Sequence, residues 1–221
     1  MVDELTPVAN YMTSEMNTNS AGADCKRMKE LNSTSSEQCI EGYLRSSWWQ
    51  RWVGMQPDQC VQLELTSKGA AVLAWTGNVM QKADWDHKPK LFKLFYSPTT
   101  NSHVWMVYGK DAYYYDIWSN IHYGYVGTAA GFSENILLDG AGLEQLGSDV
   151  LRGRFPRGTA GVTGLRRFDD AGDRNEIALG IMLFGLYPRG VSSRVLLQHV
   201  VTAPGLSKEA AARHLAPGKV L

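Results

Sequence analysis

A stretch of thirteen residues, from Tyr115 to Gly127, constrains this chain more than any other part of its sequence. It combines a carboxylate, an amide, an imidazole and three tyrosines with two glycines. Buried polar groups must each find a hydrogen-bond partner, so a core segment rarely carries so many of them. The mixture is typical of a cleft wall, in which rings form the floor and polar tips face a ligand. The alternative is a structural hairpin that carries additional polar side chains.

The charge and the aromatic content narrow the class of ligand. Lys and Arg together number 22, as do Asp and Glu, so the formal net charge is zero. This balance argues against a protein held on nucleic acid by counterion release, which usually shows a basic excess. Of the 23 aromatic residues, 12 lie between Trp85 and Tyr125. Sugar rings and nucleic-acid bases both stack on aromatic surfaces of this kind.

Targeting, membrane and metal signals are weak. Residues 1–10 contain two acidic residues and no basic one, so we expect no signal peptide. The longest apolar run, 177–187, is too short to span a bilayer, and no membrane insertion is expected. Cys25, Cys39 and Cys60 lack the spacing of a zinc site. They indicate one disulfide with a spare thiol in an oxidising compartment, or three thiols otherwise.

The front of the chain predicts an amphipathic helix over residues 5–17, with Thr6 as the N-cap and Pro7 at the first helical position. Its apolar stripe has helical spacing and consists of Leu5, Val8, Met12 and Met16. Glu15 lies at the edge of this stripe, where a carboxylate is partly desolvated.

The rest of the chain predicts a mainly helical (α+β) fold with one small antiparallel sheet or hairpin around residues 90–118. The predicted segments are a polar loop over 18–38, helices over 40–53 and 61–82, strands over 90–96, 103–108 and 112–118, helices over 124–132, 135–146 and 174–187, and a Gly- and Arg-rich loop over 152–164. Pro188 ends the last of these helices. We therefore expect a catalytic domain over 1–187 and a separate helical tail over 188–221 that is dispensable for the chemistry.

Several motifs occur in a fixed order along the chain. They are Tyr11 to Asn17, Trp85-Asp86-His87-Lys88-Pro89, the Asp-x-x-x-Asn-x-x-Tyr-Gly-Tyr pattern beginning at Asp116, and Asp169-Asp170 before a last helix. In these residues the chain resembles the bacterial polymorphic toxin type 44 family. The resemblance covers roughly residues 5–187, and the tail departs from it.

The resemblance implies a toxin domain that is usually the C-terminal cargo of a larger exported protein, such as an Rhs or type VI effector. It also implies a cognate immunity protein in the producing cell. The carrier and its secretion apparatus would deliver the domain into a target bacterium, so the domain needs no signal of its own. Members of the family have been described as predicted ribonucleases.

One interpretation of the candidate residues is cleavage of the glycan of peptidoglycan. Such cleavage needs a carboxylic acid to protonate the leaving oxygen and a second carboxylate as base or nucleophile. Glu15 is the candidate acid, and Asp86 and Asp116 are the candidate partners. We expect these residues and Asn120 to line one groove. Its remaining substrate-binding residues would be Trp85, Trp118, Tyr123 and Tyr125.

A second interpretation is metal-independent RNA cleavage, which needs a base, an acid and a cation for the phosphate. His87, His122, Lys88 and Arg166 or Arg167 could supply these groups. This interpretation adds His87 to the candidate catalytic residues, and Lys88 and His122 to the candidate binding residues. The target compartment would be the cytoplasm for RNA and the periplasm for the cell wall.

A third interpretation is a non-enzymatic carbohydrate-binding module, which would need the aromatic rings but not the acid. No metal or cofactor is expected under any of the three. The one acidic cluster with ligand-like spacing, Asp169-Asp170-x-x-Asp173, precedes a helix, where acids more often cap the helix and offset its dipole.

Overall fold

The computed structural model describes residues 2–138 and 171–220. Its first helices are α1 (Leu5–Ala21), α2 (Ala23–Asn32), α3 (Ser36–Arg45), α4 (Trp48–Val53), α5 (Pro57–Val79) and α6 (His87–Leu94). The later elements are β1 (Trp105–Tyr108), β2 (Asp111–Tyr114), α7 (Asp116–Ala129), α8 (Glu134–Leu138), α9 (Ala171–Leu186), α10 (Ser193–Thr202), β3 (Lys208–Ala210) and a 3₁₀ turn (Ala211–Arg213). The prediction of a mainly helical fold with one small antiparallel sheet is confirmed.

The sheet has the order β1-β2-β3, and both pairings are antiparallel. The tight turn between β1 and β2 uses Gly109 at φ 60°, a conformation that glycine adopts without strain. The third strand comes from the C-terminal tail and pairs Ala112 with Glu209. The predicted strand over 90–96 is wrong, because α6 occupies most of that range. Pro89 lies in the first turn of this helix, where a missing N–H costs nothing.

The predicted strand over 112–118 is only partly right, because β2 ends at Tyr114 and α7 begins at Asp116. Helix α7 packs tightly against α9. A Cβ atom at Gly124 would lie 2.1 Å from the carbonyl oxygen of Ile177, and a Cβ atom at Gly180 would lie 2.1 Å from that of Ile121. Glycine at both positions therefore lets the two backbones come into direct contact. This contact holds α7 in place, and α7 carries the candidate site residues Asp116, Asn120 and His122.

The front helix is longer than predicted, and its cap is different. The Asp3 carboxylate accepts hydrogen bonds from the backbone N–H groups of Leu5 (3.2 Å) and Thr6 (2.9 Å), so Asp3 rather than Thr6 satisfies the free N–H groups. The predicted loop over 18–38 is largely helical. Helix α2 lies within this range, and it is stabilised because Cys25 and Met28 are spaced so that both are buried on one face of the helix.

The tail shares the core of the preceding domain. Val191, Leu196, Val200 and Leu206 are all buried in the main hydrophobic cluster. The Asn17 side chain of α1 donates to the carbonyl oxygen of Val191 and accepts from its N–H, both at 3.0 Å. Pro188 therefore marks the end of α9 but not the end of the shared core.

The region between α3 and α5 differs from the rest of the molecule in its surface. A disulfide joins Cys39 of α3 to Cys60 of α5, and Cys25 is a buried free thiol whose pKa burial raises to about 11. Between the bridged cysteines, α4 exposes its tryptophans, with Trp48 at 79% and Trp52 at 87% of their surface.

Within the described part of the chain, no helix is long and apolar enough to cross a membrane.

Candidate functional site

Two histidines form the centre of the site. His87 opens α6 and His122 lies in the middle of α7, with their ring centroids 4.2 Å apart and the rings at 67°. Each side chain is 1% exposed, and the Trp85 ring lies 6.2 Å from that of His122. Burial lowers the pKa of His87 to about 4, and it lowers the pKa of His122 well below its usual value. Both imidazoles are therefore neutral at pH 7.

Helix α1 holds this histidine pair through two residues that lie eight apart, or about two turns. The Tyr11 hydroxyl lies 3.3 Å from Nδ1 of His87, and the Asn19 amide nitrogen lies 3.0 Å from Nε2 of His122. Because residues four apart share a helix face, Glu15 lies between these two contacts on the same face of α1. Burial, and then the charge of Glu15, raise the pKa of Tyr11 to about 12. The phenol therefore stays protonated and we assign it as the donor to His87.

An ion pair links α6 to the start of α7. The Lys88 ammonium lies 2.7 Å from Oδ2 of Asp116. Burial acts to lower the pKa of Lys88, but the hydrogen bond and charge of Asp116, with a further contribution from Asp173, raise it overall. The Lys88 side chain is 49% exposed and that of Asp116 is 16% exposed, so the pair lies at the rim of the site.

A second polar contact joins α7 to α9. The Asn120 amide nitrogen donates to Oδ1 of Asp173 at 3.0 Å and to Oε2 of Glu176 at 2.8 Å. Glu176 is fully buried, and its Oε1 accepts the backbone N–H of Ser207 in the tail at 3.0 Å. Asn120 is thus fixed by two carboxylates, and the tail contributes to holding one of them.

The predicted site residues fall into two groups. Those that keep exposed surface are Glu15, Asp86, Lys88, Asp116, Asn120 and Tyr123. Those that are buried are Trp85, His87, Trp118, His122 and Tyr125. The exposed group belongs to α1, to α6 with the residue before it, and to α7, which are the elements that meet at the histidine pair. That these side chains line one groove stays a prediction.

Three rings that were expected to line the groove lie in the core instead, and the first of them, Trp85, is 9% exposed. Trp118 is 1% exposed, and Tyr125 is fully buried with its hydroxyl donating to the carbonyl oxygen of Tyr187 at 2.8 Å. They face inward because α7 is buried on most of its circumference. Tyr123 packs edge-on against Trp75 at 5.0 Å and remains partly exposed. The Asp86 carboxylate accepts the backbone N–H of Lys82 at 2.8 Å and so stabilises the turn before α6.

Sequence reasoning missed three residues of this site: Tyr11, Asn19 and Glu176. The spacing of Tyr11, Glu15 and Asn19 on one helix face was the available signal for the first two. Glu176 gave no signal, because only the packed structure shows a fully buried glutamate beside Asn120. Arg166, Arg167, Asp169 and Asp170 lie outside the described residues. Among residues 2–138 and 171–220, no group of three or more His, Cys, Asp or Glu side chains is arranged to hold a metal ion.

Comparison with known families identifies the chain. A sequence model of the family described as bacterial toxin 44 matches residues 74–185, which is just over half of the chain. The chain therefore belongs to the bacterial toxin 44 family, and it is a toxin domain. The matched segment carries α6 and α7 and most of α9, whereas α1 with Glu15 precedes it. No similar curated protein and no similar solved structure was found.

Proposed function

We propose that this toxin is a hydrolase that cleaves the glycan of bacterial peptidoglycan. The observation that carries the proposal is which ionisable groups of the site are buried and which are exposed. Both imidazoles are buried and neutral, while the ionisable groups with exposed surface on the neighbouring elements include three carboxylates, Glu15, Asp86 and Asp116, together with Lys88 and Lys90. Carboxylates in pairs are the groups that glycosidic bond cleavage uses.

Glu15 is the general acid in this proposal. It lies on the α1 face that touches the histidine pair, and it keeps partial exposure, so a polymer can reach it. Its carboxylic acid protonates the leaving glycosidic oxygen, and the neutral imidazoles below it add no competing charge. Tyr11 and Asn19, one turn to either side, hold the helix that carries it.

Asp116 is the second carboxylate. It pairs with Lys88 at 2.7 Å, which holds it at the rim of the site, and it serves there as the base or nucleophile. Asn120, one turn further along α7, is held by Asp173 and Glu176 and is available to orient sugar hydroxyl or acetamido groups. Asp86 is the alternative partner, although its carboxylate already stabilises the turn before α6.

The ribonuclease alternative fits this site less well. A histidine-based ribonuclease needs imidazoles that reach the RNA and a protonated one that acts as acid. His87 and His122 are each 1% exposed, and their lowered pKa values keep both uncharged. The net charge of zero adds no general attraction for a polyanion.

The proposed biology follows from the family. A carrier protein and secretion apparatus deliver the domain into a competing bacterium, the periplasm is the compartment of action, and an immunity protein protects the producer. The disulfide between Cys39 and Cys60 supports the periplasm, because disulfides persist in oxidising compartments.

The compartment provides the test. The domain is expressed in a sensitive bacterium with and without an export signal, and both isolated sacculi and total RNA are analysed. We expect killing only with export, accompanied by cleaved wall and intact RNA, and no killing by the exported Glu15→Gln variant. Killing confined to the unexported form, with degraded RNA and intact wall, would refute the proposal and make His87 and His122 the leading catalytic candidates.

A further inference from the structure

Three buried polar atoms at the α6–α7 contact have no hydrogen-bond partner among the described residues. They are Nε2 of His87, Oδ1 of Asp116 and Oγ of Ser119. In two of these side chains the other polar atom is occupied, since Tyr11 contacts Nδ1 of His87 and Lys88 pairs with Oδ2 of Asp116. Buried polar atoms are nearly always satisfied by protein or by ordered water, so three together require an explanation.

Helix geometry brings the three atoms to one place in the contact between the start of α6 and residues 116–122 of α7, which we call the α6–α7 seam. Lys88 is bonded to Asp116, and the adjacent His87 contacts His122, so the first turn of α6 spans the stretch of α7 between these two residues. That stretch is about 9 Å long at 1.5 Å per residue. Ser119 lies at its midpoint, one turn from Asp116 and one turn from His122, and therefore beneath the start of α6.

The hydrogen-bonding capacities of the three atoms are complementary. With Tyr11 donating to Nδ1, the neutral His87 carries its proton on Nε2 and is a donor there. Oδ1 of the Asp116 carboxylate only accepts, and the Ser119 hydroxyl both donates and accepts. A buried water molecule typically makes about three hydrogen bonds, and it can accept from His87 while donating to Asp116.

We propose that His87, Ser119 and Asp116 bind one ordered water molecule in the α6–α7 seam, and that through it Ser119 and His87 position the Asp116 carboxylate. The catalytic consequence rests on the proposed function, in which Asp116 is the second carboxylate. Lys88 holds one oxygen of Asp116 and the water holds the other, so the carboxylate cannot rotate. The buried imidazole thereby acts on the reaction through Asp116, without touching the substrate.

The first test is structural and needs no activity. A crystal structure of the full chain at high resolution should show a water within hydrogen-bond distance of all three atoms, and NMR should show a slowly exchanging proton on Nε2 of His87. In the Ser119→Ala variant we expect the water to be lost and the Asp116 carboxylate to adopt a second conformer. Ser119→Thr, which keeps the hydroxyl, should retain both features. Thr128→Ala removes a hydroxyl that bonds within α7, and it should change neither.

The second test is kinetic. On purified sacculi, Ser119→Ala should lower kcat about tenfold, the order of one hydrogen bond, with KM unchanged, and Ser119→Thr should restore it. Absence of the water in the wild-type crystal, or a fixed Asp116 carboxylate in Ser119→Ala, would overturn the inference. A wild-type protein that shows the water and the protected His87 proton but leaves sacculi intact would refute the proposed function and leave the water site standing.

Discussion

Acidification from pH 7 to pH 5 should destabilise this protein through its two buried histidines. His87 and His122 are buried neutral, with their pKa values lowered by burial, whereas in the unfolded chain each would take up a proton near pH 6.5. Below that pH the unfolded state therefore binds more protons than the native state. This part of the free energy of unfolding is therefore present above pH 6.5 and is lost as the pH falls.

The size of this loss in the free energy of unfolding is set in large part by His87. Its pKa falls from 6.5 to about 4 on folding, and its imidazole is buried, so water screens its charge little. Each pH unit between these values costs about 1.4 kcal/mol, which gives a loss of about 2 kcal/mol between pH 7 and pH 5. His122 acts in the same direction. Glu64, whose pKa its contacts with Lys68 and Ser36 lower to about 2, loses its contribution only below pH 4.5.

The assay is urea denaturation at pH 7 and pH 5, with the free energy of unfolding compared at each pH. We expect the wild type to lose at least about 2 kcal/mol, and His87→Gln to lose markedly less over the same range. If that variant does not fold, NMR titration of the wild-type imidazoles supplies the same information. Equal wild-type stability at the two pH values, or imidazoles that titrate near pH 6.5 in the native state, would refute the reasoning.

Three further predictions concern packing. Gly180→Ala should lower the free energy of unfolding, measured by urea denaturation, by about 3 kcal/mol or more, because its Cβ would meet the carbonyl oxygen of Ile121. Gly185→Ala on the same helix is the control. Its Cβ would lie in open space, so this substitution should be neutral or stabilising. Deletion of 188–221 should abolish cooperative unfolding in circular dichroism, since the tail supplies β3 and buried core residues; a folded, active truncation would contradict this. Trp52→Ala should change the free energy of unfolding by less than about 0.5 kcal/mol, because Trp52 is 87% exposed.

The sequence predicted those parts of the fold that local pattern determines. The stripe of Leu5, Val8 and Met12 predicted the front helix, and the short break between the predicted strands over 103–108 and 112–118 predicted the turn between β1 and β2. The predicted strand over 90–96 is wrong because it was based on the aromatic and aliphatic composition of the segment, which does not distinguish a strand from a short helix. In the structure Leu91 is buried while Phe92 and Leu94 remain exposed on a short helix.

The candidate site was predictable to a similar degree. The motif around His87 and the stretch from Tyr115 to Gly127 identified the elements that meet at the histidine pair. What sequence could not show is which side of α7 each residue faces, and so Trp118 and Tyr125 were expected in a groove although they are buried in the core. The role of Glu176 depends on the contact of α7 with α9, which no local pattern encodes.

The central claim, that this toxin hydrolyses the wall glycan through Glu15, is tested most directly with purified protein and purified sacculi. Release of soluble fragments and new reducing sugar ends is measured for the wild type and for Glu15→Gln, with equal folding of the two verified by circular dichroism. We expect the wild type to generate reducing ends and Glu15→Gln to generate none, because the amide keeps the shape but is not acidic enough to protonate the leaving oxygen. Undigested sacculi with the folded wild type, or equal digestion by Glu15→Gln, would contradict the account.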